Sequence, residues 1–87
     1  MSRNHLIRHL LSDRELDVLN LIVFEELDVA EIGDRLFITV RTVRLYLELI
    51  REKYGTTSTS LAVIRYMKEL DQWEQPPTKE KEPQKQI

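Results

Sequence analysis

Three times between Leu11 and Val43 the chain repeats one local design: a short hydrogen-bonding side chain, an apolar residue just before it, and another four positions after it. Ser12 stands between Leu11 and Leu16, Asp28 between Leu27 and Ile32, and Thr39 between Ile38 and Val43, while Glu15 and Glu31 complete capping boxes at the first two sites. Such a side chain accepts from an otherwise unpaired N–H of the first helical turn, and the flanking apolar pair fixes the angle of chain entry. The chain is therefore expected to be all-α, with successive helices over about Asp13 to Phe24, Val29 to Leu36 and Val40 to Tyr54. Leu16, Leu19, Ile22 and Val23 form the buried stripe of the first, and Val43, Leu47, Ile50 and Tyr54 that of the third. Gly55 follows as the residue best able to take a left-handed C-terminal conformation.

Only Phe37, Ile38 and Thr39 join the second and third helices, so the two must cross steeply, as in a helix-turn-helix. Close crossing needs a small residue on the second helix, which Gly33 supplies at a cost of about 1 kcal/mol relative to alanine. Ile32, Leu36, Ile38 and Val43 hold the two helices together. The polar run from Thr56 to Ser60 is read as a loop with a cap at Ser58. A fourth helix then runs to about Trp73, with Ala62, Val63, Tyr66, Met67, Leu70 and Trp73 inward. Residues 1–10 form an extension in which Leu6, Ile7 and Leu10 can add a short turn or an arm; residues 11–73 form the domain. Residues 74–87, rich in Pro, Gln, Lys and Glu, form a tail expected to be disordered.

The net charge of −2 is unevenly spread. Residues 13–34 carry −7 and residues 35–54 carry +3, so a basic island follows a strongly acidic segment. The island is where a nucleic acid would be met. The absence of cysteine removes disulfides and thiolate metal sites, leaving oligomerisation as the support for a thin core. No apolar run of about 18 residues is present to span a bilayer, and no secretory segment opens the chain, so the expected address is the cytoplasm.

Leu11 to Leu70 resembles the LuxR/GerE-type DNA-binding domain, the output domain of many bacterial response regulators and quorum sensors. The resemblance is carried by Leu11-Ser12, Arg14-Glu15, Val18-Leu19, Glu31-Ile32, Leu36-Phe37-Ile38, Thr42-Val43-Arg44, Ile50, Lys53, Gly55 and Ala62-Val63. It implies a four-helix bundle, with the third helix in the major groove of double-stranded DNA and the fourth forming a homodimer contact. The DNA-contacting candidates are Thr39, Val40, Arg41, Thr42, Arg44, Leu45, Glu48, Arg51 and Lys53. Arginine matches guanine O6 and N7 or a phosphate, an apolar side chain a thymine methyl, and glutamate the cytosine N4 amine. Leu61 and Ile64, off the inward stripe of the fourth helix, are the dimer candidates with Arg65 and Lys68. The expected function is that of a small standalone bacterial or phage transcription regulator, with no enzymatic activity and no cofactor.

The chain departs from the family pattern at Leu45, Tyr46 and Glu48, at Val29-Ala30 and at Thr59, where polar, basic or histidine residues are usual; weak non-specific DNA affinity is expected in consequence. The departures motivate an alternative, in which the scaffold binds another transcription protein through Val40, Leu45 and Leu49. Region 4 of sigma factors has a similar helix-turn-helix, but Gly55 and the Ala62-Val63 helix favour the LuxR/GerE type. His5 and His9, four apart, lack a third metal ligand, and neither a glycine-rich phosphate loop nor an activated nucleophile is apparent.

Overall fold

A computed structural model describes residues 6–74, with side chains placed through residue 71. The described residues form a 3-10 turn, Ile7–Leu10, and four helices: α1 (Asp13–Glu25), α2 (Val29–Leu36), α3 (Val40–Tyr54) and α4 (Thr59–Glu74). The fold is all-α, as expected. The expected disorder of the tail falls outside the described residues except at Glu74, which ends α4.

The local designs operate as hydrogen bonds. Ser12 Oγ accepts from Glu15 N at 3.1 Å while Ser12 N donates to Glu15 Oε1 at 2.8 Å. Asp28 and Glu31 repeat the box, both bonds at 2.9 Å. Thr39 Oγ1 accepts from Thr42 N at 3.1 Å, and Ser58 Oγ from Leu61 N at 3.2 Å. The helix ends share a design too: Glu26 (φ 55°), Phe37 (φ 61°) and Gly55 (φ 70°) are left-handed, turning the chain out of α1, α2 and α3. Only the last is a glycine, the residue that adopts this conformation without penalty.

Phe37 is 93% exposed, so its side chain offsets little of the strain at that position. Phe37→Gly is expected to raise stability by about 0.5 kcal/mol, the relief of a left-handed side-chain clash less the added freedom of the unfolded chain. Denaturant unfolding of the two proteins checks this; a less stable variant would mean that the ring makes contacts its exposure does not reveal.

The core is a single cluster. Val18, Leu19, Ile32, Val43, Ile50 and Ala62 are almost fully buried and Leu11, Leu47, Tyr54 and Tyr66 nearly so. All four expected α3 core residues are there, whereas on α1 Leu16, Ile22 and Val23 are only partly buried and Val18 takes the central place. Met67, expected inward, is 48% exposed. It lies one helical step past Tyr66, and α4 meets the core along Ala62 and Tyr66, with Val63 and Leu70 at its margin. Met67 instead borders a shallow hollow with Val23, Phe24, Leu70 and Asp71. Trp73 has no described side chain.

Candidate nucleic-acid interface

The turn between α2 and α3 is set by one close approach. A Cβ on Gly33 would stand 2.8 Å from the Ile38 carbonyl oxygen, nearer than side-chain carbons approach backbone. The Gly33 carbonyl in turn accepts from Ile38 N at 2.9 Å. Gly33 is buried, as its expected role requires. Nothing larger fits without moving the turn, so this contact fixes how α3 is held out from α1 and α2.

The outward face of α3 begins at its N-terminus. Arg41, Arg44 and Glu48 are exposed and make no hydrogen bond or ion pair with any described residue, and Leu45 among them is 52% exposed. Val40 and Thr42 are half-buried. Thr39 is exposed, but its hydroxyl is occupied by the cap and by a bond to Thr42 Oγ1 at 3.0 Å. Two further DNA-contact candidates are committed elsewhere. Arg51 donates to Thr59 Oγ1 at 2.9 Å, tying α3 to the start of α4. Lys53 donates to Glu15 Oε1 at 2.8 Å and to the Leu10 carbonyl at 3.1 Å, tying α3 to the start of α1. The structure thus gathers Arg41, Arg44, Leu45 and Glu48 on one free face and draws Arg51 and Lys53 into holding it.

Glu15 is the buried partner in this anchorage, its side chain 3% exposed against 34% for Lys53. Burial pushes the Glu15 carboxyl up. The Lys53 hydrogen bond and charge, with the Ser12 contacts, outweigh that and hold it below the ordinary carboxylate value. A second carboxylate was not anticipated: Glu69 of α4 accepts from Ile7 N at 2.9 Å and from Arg8 N and Tyr54 Oη at 3.0 Å. Burial and the nearby carboxylate push the Tyr54 phenol far up, keeping it a neutral donor. Burial likewise raises Tyr66, whose hydroxyl donates to Asn20. Glu69 thus holds the 3-10 turn to α4 and links both to the last residue of α3. Partners 15 to 62 positions apart leave no local pattern by which sequence could reveal them.

On α4, Leu61 and Ile64 are exposed at 43% and 45%, and Lys68 is exposed. Arg65, read with them as a dimer candidate, makes a bond within the chain: its guanidinium donates to the Tyr54 carbonyl at 2.7 Å, capping the C-terminus of α3 with positive charge. No group of three potential metal-ligating side chains occurs among the described residues, and His5 lies outside them. No helix among them is long and apolar enough to cross a membrane.

A tight turn from α2 into α3 at Gly33, with an exposed face bearing Arg41 and Arg44 on α3 and α1 and α4 packed behind, is the arrangement of a helix-turn-helix DNA-binding domain. The profile of the family described as bacterial regulatory proteins, luxR family, matches residues 9–66. The chain belongs to that family, whose domains bind DNA in transcription regulation and are not enzymes. No curated protein and no solved structure matches it.

Proposed function

We propose that this chain binds double-stranded DNA sequence-specifically as a small cytoplasmic transcription regulator, with the N-terminal half of α3 in the major groove. The observation that carries the reading is the pair Arg41 and Arg44, exposed and without partners among the described residues, on a helix tied to its neighbours at both ends. Thr39, Val40 and Thr42 stand at the end of α3 that enters first, where backbone N–H groups favour a phosphate. A homodimer through Leu61 and Ile64, with Lys68 at its edge, would place two α3 helices about 34 Å apart on an inverted repeat.

The test is a random-pool DNA selection followed by affinity measurement over a range of salt. The wild-type chain is expected to recover a motif with affinity falling steeply as salt rises. Arg41→Ala/Arg44→Ala is expected to lose about 100-fold on that motif, each arginine contributing at least about 1 kcal/mol of discrimination. Unchanged recovery by the double variant sinks the assignment, and salt-insensitive binding of another protein in place of DNA would support the protein-module alternative. A monomer at high concentration, by light scattering, would remove the inverted repeat.

A further inference from the structure

Resting on that reading, the free face of α3 also holds information about which bases are read. Arg41, Leu45 and Glu48 follow one another at intervals of four and three, so their side chains form a single row along the helix. At about 1.5 Å per residue the row is about 10 Å long, close to three base-pair steps of about 3.4 Å each.

Two members of this row are unsuited to phosphate. Leu45 presents an apolar surface at the centre of the face. The apolar group that a major groove offers it is the thymine C5 methyl. Glu48 is a carboxylate that would be repelled by phosphates. It pairs with no cation among the described residues: Arg44, one turn before it, makes no pair with it, and the Arg51 guanidinium is turned to Thr59. Guanine and thymine show only acceptors in the major groove, and adenine sets the acceptor N7 beside its N6 donor. Cytosine alone shows an isolated amine. An exposed, unpaired carboxylate at this place in the row therefore favours cytosine over the other three bases. Glu52, exposed one turn beyond, adds a second negative charge and marks the end of the segment able to enter the groove.

We propose that Leu45 and Glu48 are the specificity-determining residues of this domain, reading a thymine methyl and a cytosine N4 amine on neighbouring base pairs, beside a guanine or phosphate held by Arg41 and Arg44. Glu48 makes the domain selective at the cost of overall affinity, and the arginines supply the attraction it removes.

Random-pool selection at one fixed salt concentration tests this with the wild type, Glu48→Gln and Leu45→Ala. Glu48→Gln is expected to change the favoured base at one position from cytosine to adenine, because a side-chain amide pairs with N6 and N7 together. It is also expected to bind non-specific duplex more tightly than the wild type. In the recovered site, deoxyuridine in place of the neighbouring thymidine is expected to weaken the wild type about 4-fold, the value of one buried methyl, and to leave Leu45→Ala unaffected. If the wild type recovers a motif and Glu48→Gln recovers it unaltered, or if the uracil exchange has no effect, this assignment is overturned while the DNA-binding reading stands. If the wild type recovers no motif, both fall.

Discussion

Glu15→Ala is expected to lower the stability of the domain by about 2 to 4 kcal/mol, a charged hydrogen bond together with half of a capping box. In a domain of this size that corresponds to a fall in Tm of about 10 to 25 °C. Two links fail at once: the reciprocal bond to Ser12 N, and the ion pair to Lys53 that ties the start of α1 to the last turn of α3. The loss stops short of that for a fully buried pair because Lys53, a third exposed, can turn its ammonium to water. Glu15→Gln keeps an oxygen for Ser12 N but gives up the charge, so it should lose about half as much. An exposed pair such as Arg14–Asp17, 3.7 Å apart, is the contrast. Its removal should cost less than about 0.5 kcal/mol.

The acid side of the stability curve carries the same signature. Because the folded protein holds the Glu15 carboxyl below its ordinary value, the unfolded chain takes up the proton first as pH falls. The contribution of the pair is thus complete at neutral pH, shrinks as pH falls below the ordinary glutamate value of about 4.3, and is gone once the folded carboxyl is protonated. Denaturant unfolding of the wild type and Glu15→Gln at a series of pH values should give two curves that converge at low pH. A constant gap down to pH 3 would mean that the Lys53 pair is not what stabilises the site.

Where the structure could be read from the chain, the reason is that the signal is local. Ser12, Asp28 and Thr39 announce helix starts through bonds to residues three positions away, and all three helices begin where those residues place them. Gly55 marked the end of α3 for the same reason. α2 ends at Leu36 as expected and α1 runs one residue past Phe24, although Glu26 and Phe37 enter the left-handed region without the residue type that advertises it. Arg41, Arg44, Leu45 and Glu48 were recoverable as one face because helical period alone brings them together. Arg51 and Lys53 were read with them as DNA contacts and Arg65 as part of a dimer contact, all being cations at plausible positions. What separates them is Thr59, Glu15 and the Tyr54 carbonyl, partners that only the folded chain places within reach. Met67 failed differently: an apolar stripe on α4 is wider than the surface available to cover it.

Gly33→Ala separates the two things a glycine can be doing in a helix. On an open surface the change would stabilise by about 1 kcal/mol, since alanine is the better helix former. Here the added methyl meets the Ile38 carbonyl at 2.8 Å, and that oxygen belongs to backbone that cannot swing aside as a long side chain would. The turn has to open, stretching the 2.9 Å bond from Ile38 N to the Gly33 carbonyl and rotating α3 against α2. Overpacking of this kind costs about 1 to 3 kcal/mol, which cancels or exceeds the propensity gain, so a net loss of up to about 2 kcal/mol is expected. DNA affinity should fall as well, by about tenfold even under conditions where the variant is fully folded, because a bidentate contact worth about 1 to 3 kcal/mol depends on where α3 points. Thermal unfolding and binding to the selected site, measured side by side, distinguish the cases. A variant that is more stable and binds as well as the wild type would show that the turn has slack, and that the presentation of Arg41 and Arg44 is fixed instead by the bonds at the other end of α3.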